Sequence, residues 1–126
     1  MRQEEKKTVL WTRENLLEMA GKGTHGSNPD AGVSISFLLQ GKECSLNVVE
    51  LRKGIPSHRH LDHDEIIQVL EGEGKATING KEQDLKPGDV LFCPRGSSHS
   101  MNFTVKLLSI YLPSFDPENP DRVFDH

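Results

Sequence analysis

No apolar run in the chain approaches the roughly 18 residues of a bilayer-spanning helix. The opening stretch, Met1 to Lys7, is mostly charged and lacks the apolar core of a secretory leader. Surplus positive charge is also missing: the formal net charge is −4, which argues against nucleic acid or an anionic membrane as the main partner. Cysteine is scarce. Cys44 and Cys93 are the only two, they sit at no motif spacing, and they read as buried thiols of a cytoplasmic protein rather than as a disulfide. No long helical period follows residue 21, and no helix-turn-helix pattern is present.

What remains is a soluble chain of 126 residues, suited to one domain, with 11 Gly and 7 Pro to punctuate it. Short β-rich runs recur at intervals of roughly ten residues, the pattern of an all-β sandwich or barrel. Strands are predicted over 33–39 and 44–51, joined by the hairpin signal Gln40-Gly41-Lys42. Further strands are predicted over 66–70, 75–78, 83–85, 90–93, 99–103 and 105–112, with Asn79-Gly80 as the strongest turn signal. Three segments result: an extension over 1–32, a barrel over 33–112 and a proline-rich tail over 113–126. Within the extension, Trp11 to Gly21 reads as a short helix. Thr12 is its N-cap, Gly21 its left-handed C-terminal residue, and Trp11 is placed to staple onto Leu16. The first eight residues are expected to fray, and His25, in the loop over 23–32, to be solvated.

The chemistry concentrates between Gly54 and Gly72. His58 and His60 are two apart, so on extended backbone both imidazoles leave the same face. Glu65 then heads the apolar run Ile66 to Leu70. Two imidazoles and a carboxylate beside a buried strand are costly without a partner charge, and a divalent cation resolves that cost. His63 competes with Glu65, because His58-x-His60-x2-His63 is also a workable ligand spacing. By alternation from Glu65, Ile67 and Val69 point inward, and from His99, so do Met101 and Phe103. Gln68, Arg95 and Ser98 are the polar candidates for contacts to a substrate. His63 is the one other general acid or base that stands out, and no catalytic residue can be assigned.

The spacing His58-x-His60-x4-Glu65-x6-Gly72, followed by Gly88-x5-Pro94-x-Gly96-x2-His99, resembles the two motifs of the cupin superfamily. The resemblance implies a single double-stranded β-helix, or jelly-roll, barrel holding one metal. Carried over residue by residue, it gives His58, His60, Glu65 and His99 as ligands. One departure lies four residues after His99, where the family often has Asn and this chain has Phe103, with Asn102 one place short.

Three imidazoles and a carboxylate suit divalent Fe, Mn, Ni, Co, Cu or Zn better than Ca or Mg. For a six-coordinate metal, four protein ligands leave two positions for water or a substrate. The expected function is therefore metal-dependent chemistry on a small metabolite, dioxygenase-like first and isomerase or decarboxylase next. A non-catalytic ligand-binding or sensing module is the competing expectation, since the family's fold serves both. The tail has three prolines, which forbid helix and central strand, yet it carries Phe115, Val123 and Phe124. Docking of that tail, on the barrel or on a second subunit, is expected, together with a homodimer.

Overall fold

The structure, a computed structural model, describes residues 7–22, 32–116 and 118–125. The expected fraying of residues 1–6 and the solvated His25 lie outside the described residues.

Among the described residues one helix, α1 (Arg13–Met19), precedes ten strands. Thr12 caps α1 through a reciprocal pair of bonds with Asn15, each 3.1 Å. Gly21 follows with φ 82°, the left-handed geometry expected of it. Trp11 and Leu16 share a small apolar cluster with Leu38, Val48 and Leu70, so seven helical residues are held by the outer face of the barrel rather than by their own propensity.

The strands are β1 (Val33–Gln40), β2 (Ser45–Leu51), β3 (Ile55–His60), β4 (Asp64–Glu71), β5 (Gly74–Ile78), β6 (Lys81–Leu85), β7 (Val90–Cys93), β8 (His99–Met101), β9 (Val105–Leu112) and β10 (Arg122–Phe124). They form two five-stranded antiparallel sheets, ordered β1-β2-β9-β4-β7 and β10-β3-β8-β5-β6. This is the expected all-β jelly roll. Alternation explains its interior: Ile67, Val69, Met101, Val105 and Leu107 are buried in one cluster between the sheets. Phe103 packs against that cluster from beyond the end of β8. The Asn79-Gly80 turn has φ 53° and 76°, the two positive values a tight hairpin demands.

Two elements differ from the sequence expectation. The segment before His60, outside the predicted strands, is strand β3, and Gly54 stands immediately before it where only glycine fits. Gly54 has φ 68°, and a Cβ on it would stand 2.2 Å from the Met101 carbonyl oxygen. The tail, in turn, contributes a strand of its own. After Pro120, β10 lies antiparallel along β3, pairing Arg122 with His60 and Phe124 with His58. It occupies a sheet edge, where nearby prolines do least harm.

Candidate functional site

The barrel's inner face brings His58, His60, Glu65 and His99 together from three strands. His58 and His60 come from β3, Glu65 is the second residue of β4, and His99 opens β8. All four are buried, with exposures of 3–5%. Cross-strand pairing sets their convergence: His58 lies opposite His99, and their rings are 4.3 Å apart between centroids. One ligand atom each from His58, Glu65 and His99 falls within 4.8 Å of the others. His60 Nε2 lies 3.3 Å from Glu65 Oε1, and His99 Nε2 lies 3.6 Å from the same oxygen.

Hydrogen bonds fix which ring nitrogens face inward. His58 Nδ1 donates to the Pro56 carbonyl at 2.9 Å, which leaves its Nε2 as a lone-pair donor. His60 Nδ1 donates to Asp121 Oδ1 at 3.2 Å, turning its Nε2 toward Glu65. Ser109 donates its hydroxyl to Glu65 Oε2 at 2.5 Å. Glu65 Oε1 and His99 Nδ1 are buried with no hydrogen-bond partner among the described residues.

Electrostatics follow from this packing. Burial, reinforced by the neighbouring His99, lowers the pKa of His58 to about 4. Burial also lowers that of His99. For His60 burial pulls the same way, but Glu65 and then Asp121 outweigh it and raise the value. Burial works against the Glu65 charge too, and His60, with Ser109 and His99, more than offsets it, leaving the pKa below normal.

His63, the competitor of Glu65 by spacing, does not join the cluster. It is 5% exposed and held away from the cluster, with Nδ1 2.6 Å from Asp121 Oδ2 and Nε2 2.9 Å from the Ser114 carbonyl. Both ring nitrogens lie against Asp121 and Ser114 rather than toward the cluster. Gln68, Arg95 and Ser98 do not line the pocket. Arg95 instead ties its backbone and guanidinium to Asp64.

Three residues near the centre carried no sequence signal that was followed. Asp121, buried just before β10, accepts from His60, His63 and the Asp62 amide. Tyr111 lines the pocket, and burial together with the Glu65 charge raises its pKa well above the usual phenol value, so the hydroxyl stays protonated. Its position opposite Glu65 was recoverable from alternation along β9. Arg122 also lines the pocket. The remaining wall is apolar, formed by Val49, Leu51, Ile55, Ile67, Met101 and Leu107.

A two-sheet jelly roll with a buried histidine–carboxylate cluster between its sheets defines a small β-barrel class. Residues 47–111, just over half of the chain, match the Cupin domain family, and the chain belongs to it. An oxalate-binding protein from Thermotoga maritima is 45% identical over 47 residues, covering 37% of this chain and 39% of that protein. L-ectoine synthase from Halomonas elongata is 27% identical over 84 residues, covering 63% and 61% respectively. The chain thus spans less than two thirds of the length of these curated relatives. An RmlC-like cupin from Shewanella frigidimarina superposes with a TM-score of 0.67 at 21% identity, over 79% of this chain and 92% of that one, a likeness of fold.

Proposed function

We infer that His58, His60, Glu65 and His99 hold one divalent transition metal, and that a small metabolite completes its coordination. One observation carries this reading: Glu65 Oε1 is buried and unbonded while two imidazole Nε2 atoms point at it from 3.3 and 3.6 Å. A buried carboxylate oxygen without a partner is costly, and a shared cation removes the cost for all the converging groups. The donor set of three nitrogens and one oxygen favours Fe, Mn, Ni, Co, Cu or Zn. Such a metal supplies Lewis-acid or oxygen-binding chemistry when bound.

The protein's own residues hold that site in place. Pro56 and Asp121 orient two of the imidazoles through their Nδ1 atoms, and Ser109 fixes the carboxylate. Tyr111 keeps a proton beside Glu65, and the apolar walls exclude bulk water from the inner pocket. Chemistry on a small oxygen-rich metabolite fits best, dioxygenase-like first, with isomerase or decarboxylase next. Support for a small metabolite comes from relatives named for oxalate binding and for ectoine synthesis. A binding or sensing module is the second reading, favoured by the scarcity of proton-transferring groups in the pocket beyond Tyr111 and the cluster itself.

Two further expectations belong to the same reading. The free thiols Cys44 and Cys93 favour a reducing compartment such as the cytoplasm. Val90 and Phe92, each 61% exposed on the edge strand β7, favour burial in a homodimer. Metal analysis of protein taken from its native cells, followed by oxygen uptake against a metabolite panel, tests the functional reading. Protein free of transition metal would sink it. Metal-loaded protein that binds metabolites but turns none over would favour the sensing module.

A further inference from the structure

Arg122 lines the pocket by virtue of register. It pairs with His60 across the β10–β3 ladder, and directly paired residues of an antiparallel ladder leave the same face of the sheet. His60 faces the barrel interior, so Arg122 does too. Phe124, paired with His58, shares that face, and the Arg122 guanidinium carbon sits 5.5 Å from its ring centroid.

The neighbouring carboxylates of the tail are already engaged. Asp121 serves His60, His63 and the Asp62 amide, while Asp125 is taken by Arg59 and Ser57. Among the described residues Arg122 is left with an aromatic face and no ion pair. Its charge is close enough to act on the buried Tyr111 hydroxyl. Charge balance then matters. On the reading that a divalent cation sits at the cluster, Glu65 and the Asp121 carboxylate behind His60 balance its two charges, and Arg122 leaves one positive charge in surplus. An otherwise apolar pocket with that surplus calls for an anion.

We propose that Arg122 recognises the charged end of the pocket's ligand, which is a small carboxylate carrying a second oxygen donor that reaches the histidine–glutamate cluster. A guanidinium offers a planar fork of donors that matches a carboxylate. A phosphate fits less well: among the described residues the pocket wall contains one guanidinium and no lysine. This proposal rests on the metal reading for its second contact, but the Arg122 contact itself is independent of it.

Cobalt(II)-loaded protein provides the test, since its visible spectrum reports occupancy at the metal. Wild type, Arg122→Met and Arg122→Lys are titrated with oxalate, malonate, 2-oxoglutarate, inorganic phosphate and imidazole. Wild type is expected to bind at least one carboxylate, and Arg122→Met to weaken it at least about tenfold, the worth of one charge-assisted hydrogen bond. Arg122→Lys should recover part of that loss. Imidazole, a neutral metal ligand, should bind wild type and Arg122→Met within about twofold, showing that the variant's metal site is intact. Three outcomes overturn the proposal: no carboxylate binds, Arg122→Met binds carboxylates as tightly as wild type, or phosphate shows the stronger Arg122-dependent binding. If the protein takes up no cobalt, the metal reading fails on its own. Calorimetric titration of the metal-free protein with the same carboxylates then decides Arg122 separately, by whether binding is lost in Arg122→Met.

Discussion

Asp121 Oδ1 lies 3.2 Å from His60 Nδ1 although 61 positions separate the two residues. The same carboxylate binds His63 and the Asp62 amide through its other oxygen, so one residue of the tail organises the whole turn after β3. Partners of this kind set the tautomer and aim of a ligand imidazole, and losing one typically costs 10–100-fold in metal affinity. Asp121→Asn should therefore weaken metal binding by about that factor, measured by chelator competition, while the folded barrel persists by circular dichroism. Unchanged affinity would show that His60 needs no such partner or is not a ligand.

Much of this was legible beforehand, for identifiable reasons. Inward positions such as Ile67, Val69 and Met101 follow from alternation, because each strand's direction is fixed by one buried face. The cluster was legible because its spacing is local on β3 and tied to turns on either side. Asp121 was not, since nothing in the sequence separates it from the exposed Asp116, which caps a turn through Asn119. Its role exists only once β10 pairs with β3, and a three-residue strand among prolines gives no periodic signal. The burial of His63 was not legible for a related reason: it depends on Ser114 and Asp121, both contributed by the tail.

The choice between Glu65 and His63 yields opposite signatures. Glu65→Ala removes the oxygen on which two imidazoles converge and should abolish stable metal uptake by elemental analysis. His63→Ala should retain the metal but lower stability by about 1–3 kcal/mol, because it leaves buried Asp121 and the Ser114 carbonyl short of donors. The double variant His60→Ala, His99→Ala should hold no metal. Full occupancy in that variant, or a greater loss for His63→Ala than for Glu65→Ala, contradicts the assignment.

The histidines also predict how the metal-free protein responds to acid. His58 has a folded pKa of about 4 against about 6.5 when unfolded, so it binds a proton more readily in the unfolded chain. Its contribution to stability is complete above about pH 6.5 and is lost as pH falls toward 4. His60, raised by Glu65 and Asp121, has the opposite sign: its contribution is present below about pH 6.5 and disappears as pH rises through its folded value. Urea unfolding at pH 7 and pH 4.5 isolates the His58 part when wild type is compared with His58→Asn. Wild type should lose about 2–3 kcal/mol more than the variant over that interval. Parallel losses in the two proteins would mean that His58 is not the group responsible. In the metal-bound protein the same protons compete with the cation, so affinity should fall as pH drops through the raised His60 value.

The tail and the dimer separate once β10 is seen to lie on its own barrel. Phe115 stacks on Tyr111 at 5.2 Å between centroids, Ser114 accepts from His63, and Asp125 binds Arg59 and Ser57, so the tail's contacts are spent within one chain. Deleting residues 114–126 should then lower the melting temperature and the metal affinity together, since it removes Asp121 along with the strand. Self-association is expected instead at β7, whose Val90 and Phe92 face solvent on a sheet edge. A stable pair of this kind needs roughly 1,200–2,000 Å² of buried surface, and two exposed apolar side chains on an edge are a natural centre for it. Phe92→Asp places a charge at that centre and should shift the protein to monomer in sedimentation at micromolar concentration, with metal content unchanged. A monomeric wild type ends the dimer proposal, and a Phe92→Asp dimer moves the interface to another face.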